Sequence, residues 1–395
     1  MTGSYGRRGG NVPGGAASFG DISGRDLISP AQSAKALGLS ERPLGPGLNG
    51  WVTARDVYRA VVDKQPYPVR MLMSFGGNLL AAQPDTERAT EALRALQFHA
   101  HADFFVNATA RYADVLLPAA TSWEREGLRT GFDVSLAGLK RVQLRPAVVA
   151  PRGEARSDTD IVMGLATRLG LSDKFFGGSA DRGHDAILAP AGLSVELLRS
   201  CPEGFDVAGE APFEPWSVLT SGGTPQGFPT PTRRLEFYSE RLLSIGQQPV
   251  PALDLQSMDR STSLRPLLLG SSKTVAYCHS QHRNIPSLRR LEPDPPIEMT
   301  ADDAAARGLA DGDWARIVTD RGSAVGRVRI VEGLARGTVF GQHGWWIAGP
   351  AGTPYGASRP LAANLNGVID TTKADPISGS IPLRATWCEI EKIEG

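Results

Sequence analysis

The sequence predicts an α/β chain in which a mainly parallel sheet segment is followed by a β-barrel. Three observations carry this. Between residues 69 and 170, short apolar runs alternate with amphipathic helical stretches, as strands do when helices connect them. In the last third, short runs of alternating residues recur with a turn about every 8–12 residues, the spacing of a barrel. Gly 45 and Pro 29 supply the tight turns that both patterns need.

Changes of pattern divide the chain into a loop-rich lead at 1–65, an α/β segment at 66–200, a Pro/Gly/Ser-rich connector at 201–262 and the barrel at 263–395. MTGSYGRRGGNVPGG has six glycines in its first 15 residues and no helix or strand for them to join. It reads as an internal loop or a flexible tail. Thr53 caps a helix to Val62, with Val57 and Val61 on one face. VRMLMSF, from Val69, is a continuous apolar run, the pattern of a strand covered on both faces. Asp85 or Thr86 caps a helix through Leu96 that shows Ala89, Leu93 and Leu96 on one side. FHAHADFFV and DVLLP are further strands, and DTDIVMGLATRLG is an amphipathic helix that Gly170 stops. Within the connector, TPTRRLEFYS (Thr230 to Ser239) is a candidate strand.

In the last third RPLLLGSS is a strand, and Thr300 caps a short helix ending near Gly308. WARIVTDRGSAVGRVRIV reads as a hairpin, and GTVFGQHGWW and RATWCEIEKI add two strands. Alternation places Leu267, Leu269, Ile317, Val325, Val328, Ile330 and Val339 in the barrel interior.

Composition excludes several classes. Lys+Arg and Asp+Glu both count 42, so no net field recruits nucleic acid or an anionic membrane. No apolar run is long enough to cross a bilayer. Cys201, Cys278 and Cys388 are widely separated and form no C-x-x-C pair. These residues therefore encode neither an iron–sulfur cluster nor a structural zinc site, and no disulfide framework. Arg7 and Arg8 precede GGNVPGGAASFGD rather than an apolar segment, so they do not read as an export signal. Neither a G-x-S-x-G nor a Walker pattern occurs.

Four constellations are candidates for chemistry. Gly76, Gly77 and Asn78 follow a strand and precede a helix, where backbone N–H groups can approach a phosphate; an ordinary turn is the plainer alternative. His99, His101 and Asp103 share a strand face, as a metal site or as the polar end of a sheet, with Asp103 placed to accept from a base or ribose. Tyr277, Cys278, His279, Ser280, Gln281, His282 and Arg283 form a dense polar run, either a solvated loop or a contact with a polar heterocycle. Asn364, Asn366, Asp375, Ser378 and Arg384 present the same choice. A fifth stretch, RYADVLLPAATSWEREG (Arg111 to Gly127), crowds Trp123 to Glu126 into a loop. Ion pairing of Glu124 or Glu126 with Arg129 is its structural reading.

Taken in order, GGN, HADFFVNATARYADVLLPAATSWEREG, RPLLLGSS, HSQHRNIPSLR, TADDAAARGLADGDWARI, RGTVFGQHGWW, NLNGVID and DPISG resemble the molybdopterin oxidoreductases of the dimethyl sulfoxide reductase and formate dehydrogenase type. The resemblance covers roughly residues 66–170 and 263–395. HSQHRNIPSLR and GWW lean toward its thiosulfate/polysulfide reductase and acetylene hydratase branch. It implies a Rossmann-like segment followed by a double-psi β-barrel that binds molybdopterin dinucleotide. The implied cofactor is bis(molybdopterin guanine dinucleotide) with molybdenum, for two-electron or oxygen-atom transfer. Gly76, Gly77, Asn78 and Asp103 would meet one nucleotide arm. Gly270, Ser271, Ser272, Lys273, Tyr277, Cys278, His279, Ser280, His282, Arg283, Gln342, His343, Asn364 and Arg384 would cradle pterin or the other arm. Trp123 to Glu126 would close against the active-site funnel.

The family's cysteine-rich iron–sulfur segment and its molybdenum ligand have no counterpart in these residues. The resemblance therefore implies the C-terminal portion of such an enzyme, inactive without an N-terminal half or a separate subunit carrying it. An iron–sulfur electron-transfer subunit is a further implied partner. A non-catalytic cofactor-binding subunit and a molybdenum-free double-psi barrel enzyme are the alternatives. Location is cytoplasmic by default, or periplasmic should an export signal precede Met1.

Overall fold

The computed structural model describes residues 3–11, 18–131, 136–207, 213–250 and 264–394. Parts of the glycine-rich start (1–2, 12–17) and of the connector (208–212, 251–262) lie outside the described residues. The chain forms two compact units that are not sequential. One comprises Ile28–Leu117 and Asp254–Gly395, the other Met1–Leu27 and Pro118–Leu253. The strands are β1 (Met71–Phe75), β2 (Phe98–Asp103), β3 (Val115–Pro118), β4 (Gly127–Thr130), β5 (Arg141–Arg145), β6 (Phe205–Asp206), β7 (Leu267–Ser272), β8 (Pro296–Met299), β9 (Trp314–Thr319), β10 (Gly322–Ile330), β11 (Thr338–Gln342) and β12 (Thr386–Lys392).

In the larger unit β1, β2 and β3 form one sheet in that order, with β1 and β2 parallel and Met71 opposite Phe98. Thr53 caps the helix Ala54–Val62 by accepting the Asp56 N–H, and Asp85 caps Thr86–Ala95 through the Arg88 N–H. These helices bury Tyr58, Val61, Ala89 and Leu93 against Leu80 and Ala81. The expectation that β1 is covered on both faces does not hold. Met71 is 64% exposed and the three middle residues are only half-buried. Among the described residues only Leu72 of β1 packs against the helical core, so the strand's other face lacks cover.

The barrel is closed, with six strands in the order β10-β8-β11-β7-β12-β9. The predicted hairpin is β9 and β10, antiparallel with Gly322 opposite Thr319. β7 with β11 and β8 with β10 are parallel pairs, and β11 runs antiparallel to β8. Leu267, Leu269, Ile317, Val328 and Val339 fill the interior as expected, joined by Ile297, Met299, Ala324 and Ile390. Val325 does not join them. Counting by twos from Val328 puts Ala324 inside and Val325 outside, where it is buried with Trp345 and Tyr355. Ile330 packs against the interior but is only partly buried.

The smaller unit holds an antiparallel sheet, β4-β5-β6, that the sequence reading did not foresee. Val142 and Leu144 point from β5 into a core with Leu188, Val195 and Leu198. The helix expected near Asp158 is Asp158–Arg168, capped by Ser157. The Trp123–Glu126 run is a tie. Glu124 accepts from the Thr121 N–H and hydroxyl at 2.8 Å each and from the Arg152 N–H at 3.0 Å. The Trp123 carbonyl accepts the Val148 and Val149 N–H groups, and Arg199 grips Glu126 at 2.7 and 3.0 Å. Both carboxylates are thus engaged elsewhere than at Arg129, and the Trp123 ring stays 66% exposed. The candidate strand at Thr230 to Ser239 is not one. Its polar side chains close turns instead, as where Glu236 accepts the Thr232 N–H and hydroxyl.

Candidate functional site

Two cavities within the larger unit share Ala82 and His279 in their walls. The first, about 340 Å³, is built around the end of β1. Gly76, Gly77 and Asn78 have φ of +59°, +91° and +38°, three successive left-handed residues that turn the chain sharply. The Gly76 N–H is committed to the Ala102 carbonyl at 2.7 Å, and a Cβ on Gly76 would meet nothing within 4 Å. Asn78 is 5% exposed, yet both its side-chain oxygen and nitrogen lack a partner among the described residues. The Asn284 side-chain carbonyl, in the same wall, is equally unpaired. Each buried unmet polar group costs about 1–3 kcal/mol, so the wall favours a ligand that pairs with it.

Asp103 also lines this cavity, although it already accepts Asn107 Nδ2 and the Phe104 N–H at 2.6 Å each. Behind it the two histidines of β2 face the same way, as alternation requires. The Ser74 Oγ lies 2.9 Å from His99 Nε2 and 2.7 Å from His101 Nδ1. A single arrangement of hydrogens satisfies all four groups. His99 Nδ1–H donates to the Tyr112 carbonyl, the Ser74 hydroxyl donates to His99, His101 Nδ1–H donates to Ser74, and Asn107 donates to His101 Nε2. Burial holds the His99 pKa below its usual value, which favours the neutral His99 ring this arrangement needs. Among the described residues no group of three His, Cys, Asp or Glu side chains is placed to hold a metal.

The second cavity, about 640 Å³, is lined by Ser271, Lys273, His279, His343, Asn366 and Arg384 among others. His279 Nδ1 and His343 Nε2 lie 3.1 Å apart, so one must donate and the other accept. Burial, with His279, Arg283 and Lys273 nearby, holds the His343 pKa low.

The remaining sequence-predicted residues hold these walls in place. Arg283 is 1% exposed and lies between the rings of Tyr277 and Trp345, 4.5 Å from each. It donates to the carbonyls of His279 and His343, at 3.0 and 2.5 Å, and to Gln342 Oε1 at 3.3 Å. Burial brings its pKa down to about 9. Its Nη2 therefore fastens two loops to each other, while Nη1 holds Gln342. Tyr277 donates to the Glu292 carbonyl, and Gln342 donates to Thr274 while accepting from Trp345. Trp346 donates to the carbonyl of Ser280, which lines the first cavity with His282. Asn364 donates to the Leu80 carbonyl and to Thr86 Oγ1. Gly270 leaves room for the Phe340 ring, which lies 2.5 Å from where a Cβ would stand. The Ser272 Oγ is buried without a partner among the described residues, and Cys278 is exposed and lines neither cavity. Sequence reasoning missed Asn107, Phe104, Phe105 and Trp346 as wall residues. HADFFVN and GWW contain them, but nothing in their spacing marks them.

Comparison with known proteins converges on one family. A family model described as molybdopterin oxidoreductase matches residues 33–168, and one described as molydopterin dinucleotide binding domain matches 267–387. The dimethyl sulfoxide/trimethylamine N-oxide reductase of Rhodobacter capsulatus is 30% identical over 333 residues, 78% of this chain and 39% of that protein. The F420-dependent formate dehydrogenase subunit alpha of Methanocaldococcus jannaschii is 26% identical over 291 residues, 71% of this chain and 39% of that subunit. The chain thus spans about two fifths of the length of these relatives. The solved structure of acetylene hydratase from Pelobacter acetylenicus superposes with a TM-score of 0.81 over 96% of this chain and 55% of that one. At 21% identity that likeness speaks for the fold alone.

Proposed function

We propose, for a chain that belongs to the molybdopterin oxidoreductase family, that the two cavities meeting at His279 hold a bis(molybdopterin guanine dinucleotide) molybdenum cofactor. The observation that carries this is Asn78, whose buried amide is unpaired in a wall where two glycines leave space open. The donor sets fit such a group. The Gly76–Asn78 turn and Asp103 would take one nucleotide arm, with N–H groups of the turn other than that of Gly76, which Ala102 holds, facing its diphosphate. Ser271, Lys273, His279, His343 and Arg384 would take pterin or the other arm, Lys273 and Arg384 supplying charge for phosphate. Tyr277, Arg283, Gln342 and Asn364 would act through the walls they brace. The interleaved parallel pairs β7–β11 and β8–β10 support reading the barrel as double-psi.

When bound, the molybdenum supplies two-electron or oxygen-atom transfer. The chain's own residues bind, orient and shield it. In this reading the chain is the C-terminal portion of an oxidoreductase. It would work with an N-terminal portion or a subunit carrying one, and with an iron–sulfur electron-transfer partner.

The test is to produce the chain in a host that makes the cofactor, alone and with a complementing N-terminal portion, and to measure guanine nucleotide and molybdenum per chain. Stoichiometric nucleotide in the joint preparation, and no reduced-viologen turnover by the chain alone, are expected. Absence of nucleotide from both preparations overturns the reading.

A further inference from the structure

The smaller unit contains a second concave site of different character. On β5, Val142 and Leu144 point into the core, so Arg141, Gln143 and Arg145 share the opposite face. Across the ladder, Gly127 stands opposite Arg145 and Arg129 opposite Gln143. Gln143 and Arg145 of this face form one wall of a cavity of about 400 Å³, completed by Arg125, Thr159 and His184.

The arginines of this unit differ sharply in how they are neutralised. Arg141 is bound by Asp206 at 2.7 Å, and Arg199 by both Glu126 and Asp181. Arg145 has no carboxylate or carbonyl partner among the described residues, and its Nε is buried and unpaired. His184 Nδ1, in the same cavity, is also buried and unpaired. Among the described residues Arg125 reaches only the Glu126 carbonyl, at 3.5 Å. The one carboxylate in the wall, Glu126, is held by Arg199. Gly127 is what lets the cations gather. A Cβ there would lie 2.7 Å from Arg145 Nη2 and 3.7 Å from Arg125 Nη1. Thr159 lies in the first turn of the eleven-residue helix Asp158–Arg168, whose N-terminus is already met by the Ser157 cap and by Asp158 and Asp160, so the cationic side chains carry the site.

We propose that this cavity is an oxyanion site, taking a phosphate-like group between Arg125, Arg145 and His184. An oxyanion supplies what each of these groups lacks: an acceptor for unmet N–H bonds and a counter-charge for guanidinium groups that no carboxylate among the described residues neutralises. Arginine's planar fork suits such a group better than an ammonium would.

The experiment is titration of the full chain with inorganic phosphate at constant ionic strength, by calorimetry and by phosphorus NMR. Saturable binding is expected in the wild type, weakened at least tenfold in Arg145→Met and in Gly127→Val. Arg141→Gln, on the same strand but paired with Asp206, should bind as the wild type does. Arg125→Gln serves should Arg145→Met fail to fold, with the same expected loss. Unchanged affinity in the Arg145 and Arg125 variants overturns the proposal, as does an equal loss in Arg141→Gln or no saturable binding at all. These variants lie outside the two cofactor-site cavities, so the outcome is independent of whether those hold a molybdenum cofactor.

Discussion

Val339 and Gln342 stand three residues apart on β11 and are both almost fully buried, yet they sit in different materials. Val339 meets the apolar interior of the barrel, with Leu267, Ile317 and Ile390. Gln342 belongs to the rim, where Arg283, Trp345, Trp346 and Ser280 are buried too but joined by hydrogen bonds. Interior side chains are interchangeable by volume, within limits. Rim side chains are not, because removing one strands the partners of the others. The rim is therefore both the rigid part of the candidate site and the part least tolerant of substitution.

The contrast is broken most severely at Arg283. Arg283→Ala removes bonds to two carbonyls and a cation between two rings, so a loss of about 3–5 kcal/mol is expected by denaturant unfolding. Arg283→Lys should recover only part of it, since one ammonium can replace Nη2 at the carbonyls but supplies neither Nη1 at Gln342 nor a planar cation between the two rings. Full recovery by Lys would show that charge alone, not the fork, holds the rim. In the interior, Ile317→Ala should cost about 2–4 kcal/mol, and Ile330→Ala, at a partly buried position, about 1–2 kcal/mol. Reversal of that order would place Ile330 deeper than its surroundings indicate.

At the cavity wall itself, stability and binding should separate. Gly77→Val places a β-branched residue at φ +91° and should reduce retained guanine nucleotide severely. Asn78→Ala should reduce it only mildly and, by removing an unmet buried amide, leave unfolding unchanged or slightly harder. Equal retention in both variants would make the turn a plain connection.

The smallest effect concerns pH. His343 and His99 have pKa values held below the usual histidine value, so the unfolded chain binds more protons than the folded one in that window. Stability is then fully present above about pH 6.5 and declines as pH falls toward the folded pKa values. Melting temperatures from about pH 7.5 to about pH 5.5 should fall, and fall less in His343→Gln. An identical slope in that variant would exclude His343 as a contributor.

The barrel interior was readable because a period of two needs only the order of apolar residues. The same rule misled at Val325, where the count slipped by one and a buried outer face with Trp345 and Tyr355 looked like core. The α/β elements were legible from the caps Thr53 and Asp85 and, near Asp158, from an amphipathic run stopped by Gly170. Which rim residues face a cavity and which brace it was not legible. Arg283 and His282 are neighbours in sequence and both polar. Only tertiary packing buries one between two rings and leaves the other in a cavity wall. The β4–β5 sheet was missed because GLRT and RVQLR carry charge on their outward face and resemble loop.

Asn364 and Asn366 donate to the carbonyls of Leu80 and Ala81, and these bonds reach across 284 and 285 residues of chain. During synthesis, at about 5–20 residues per second, the helix Leu79–Ala82 would wait roughly 15–60 s for its partners to be made. Throughout that interval Leu80 and Ala81, fully covered at the end, lack part of their cover. The smaller unit, whose last segment ends at Leu253, is finished first. Maturation of the larger unit is thus a late, long-range closure, and the nascent chain would be most exposed to aggregation or chaperone capture before its last thirty or so residues emerge.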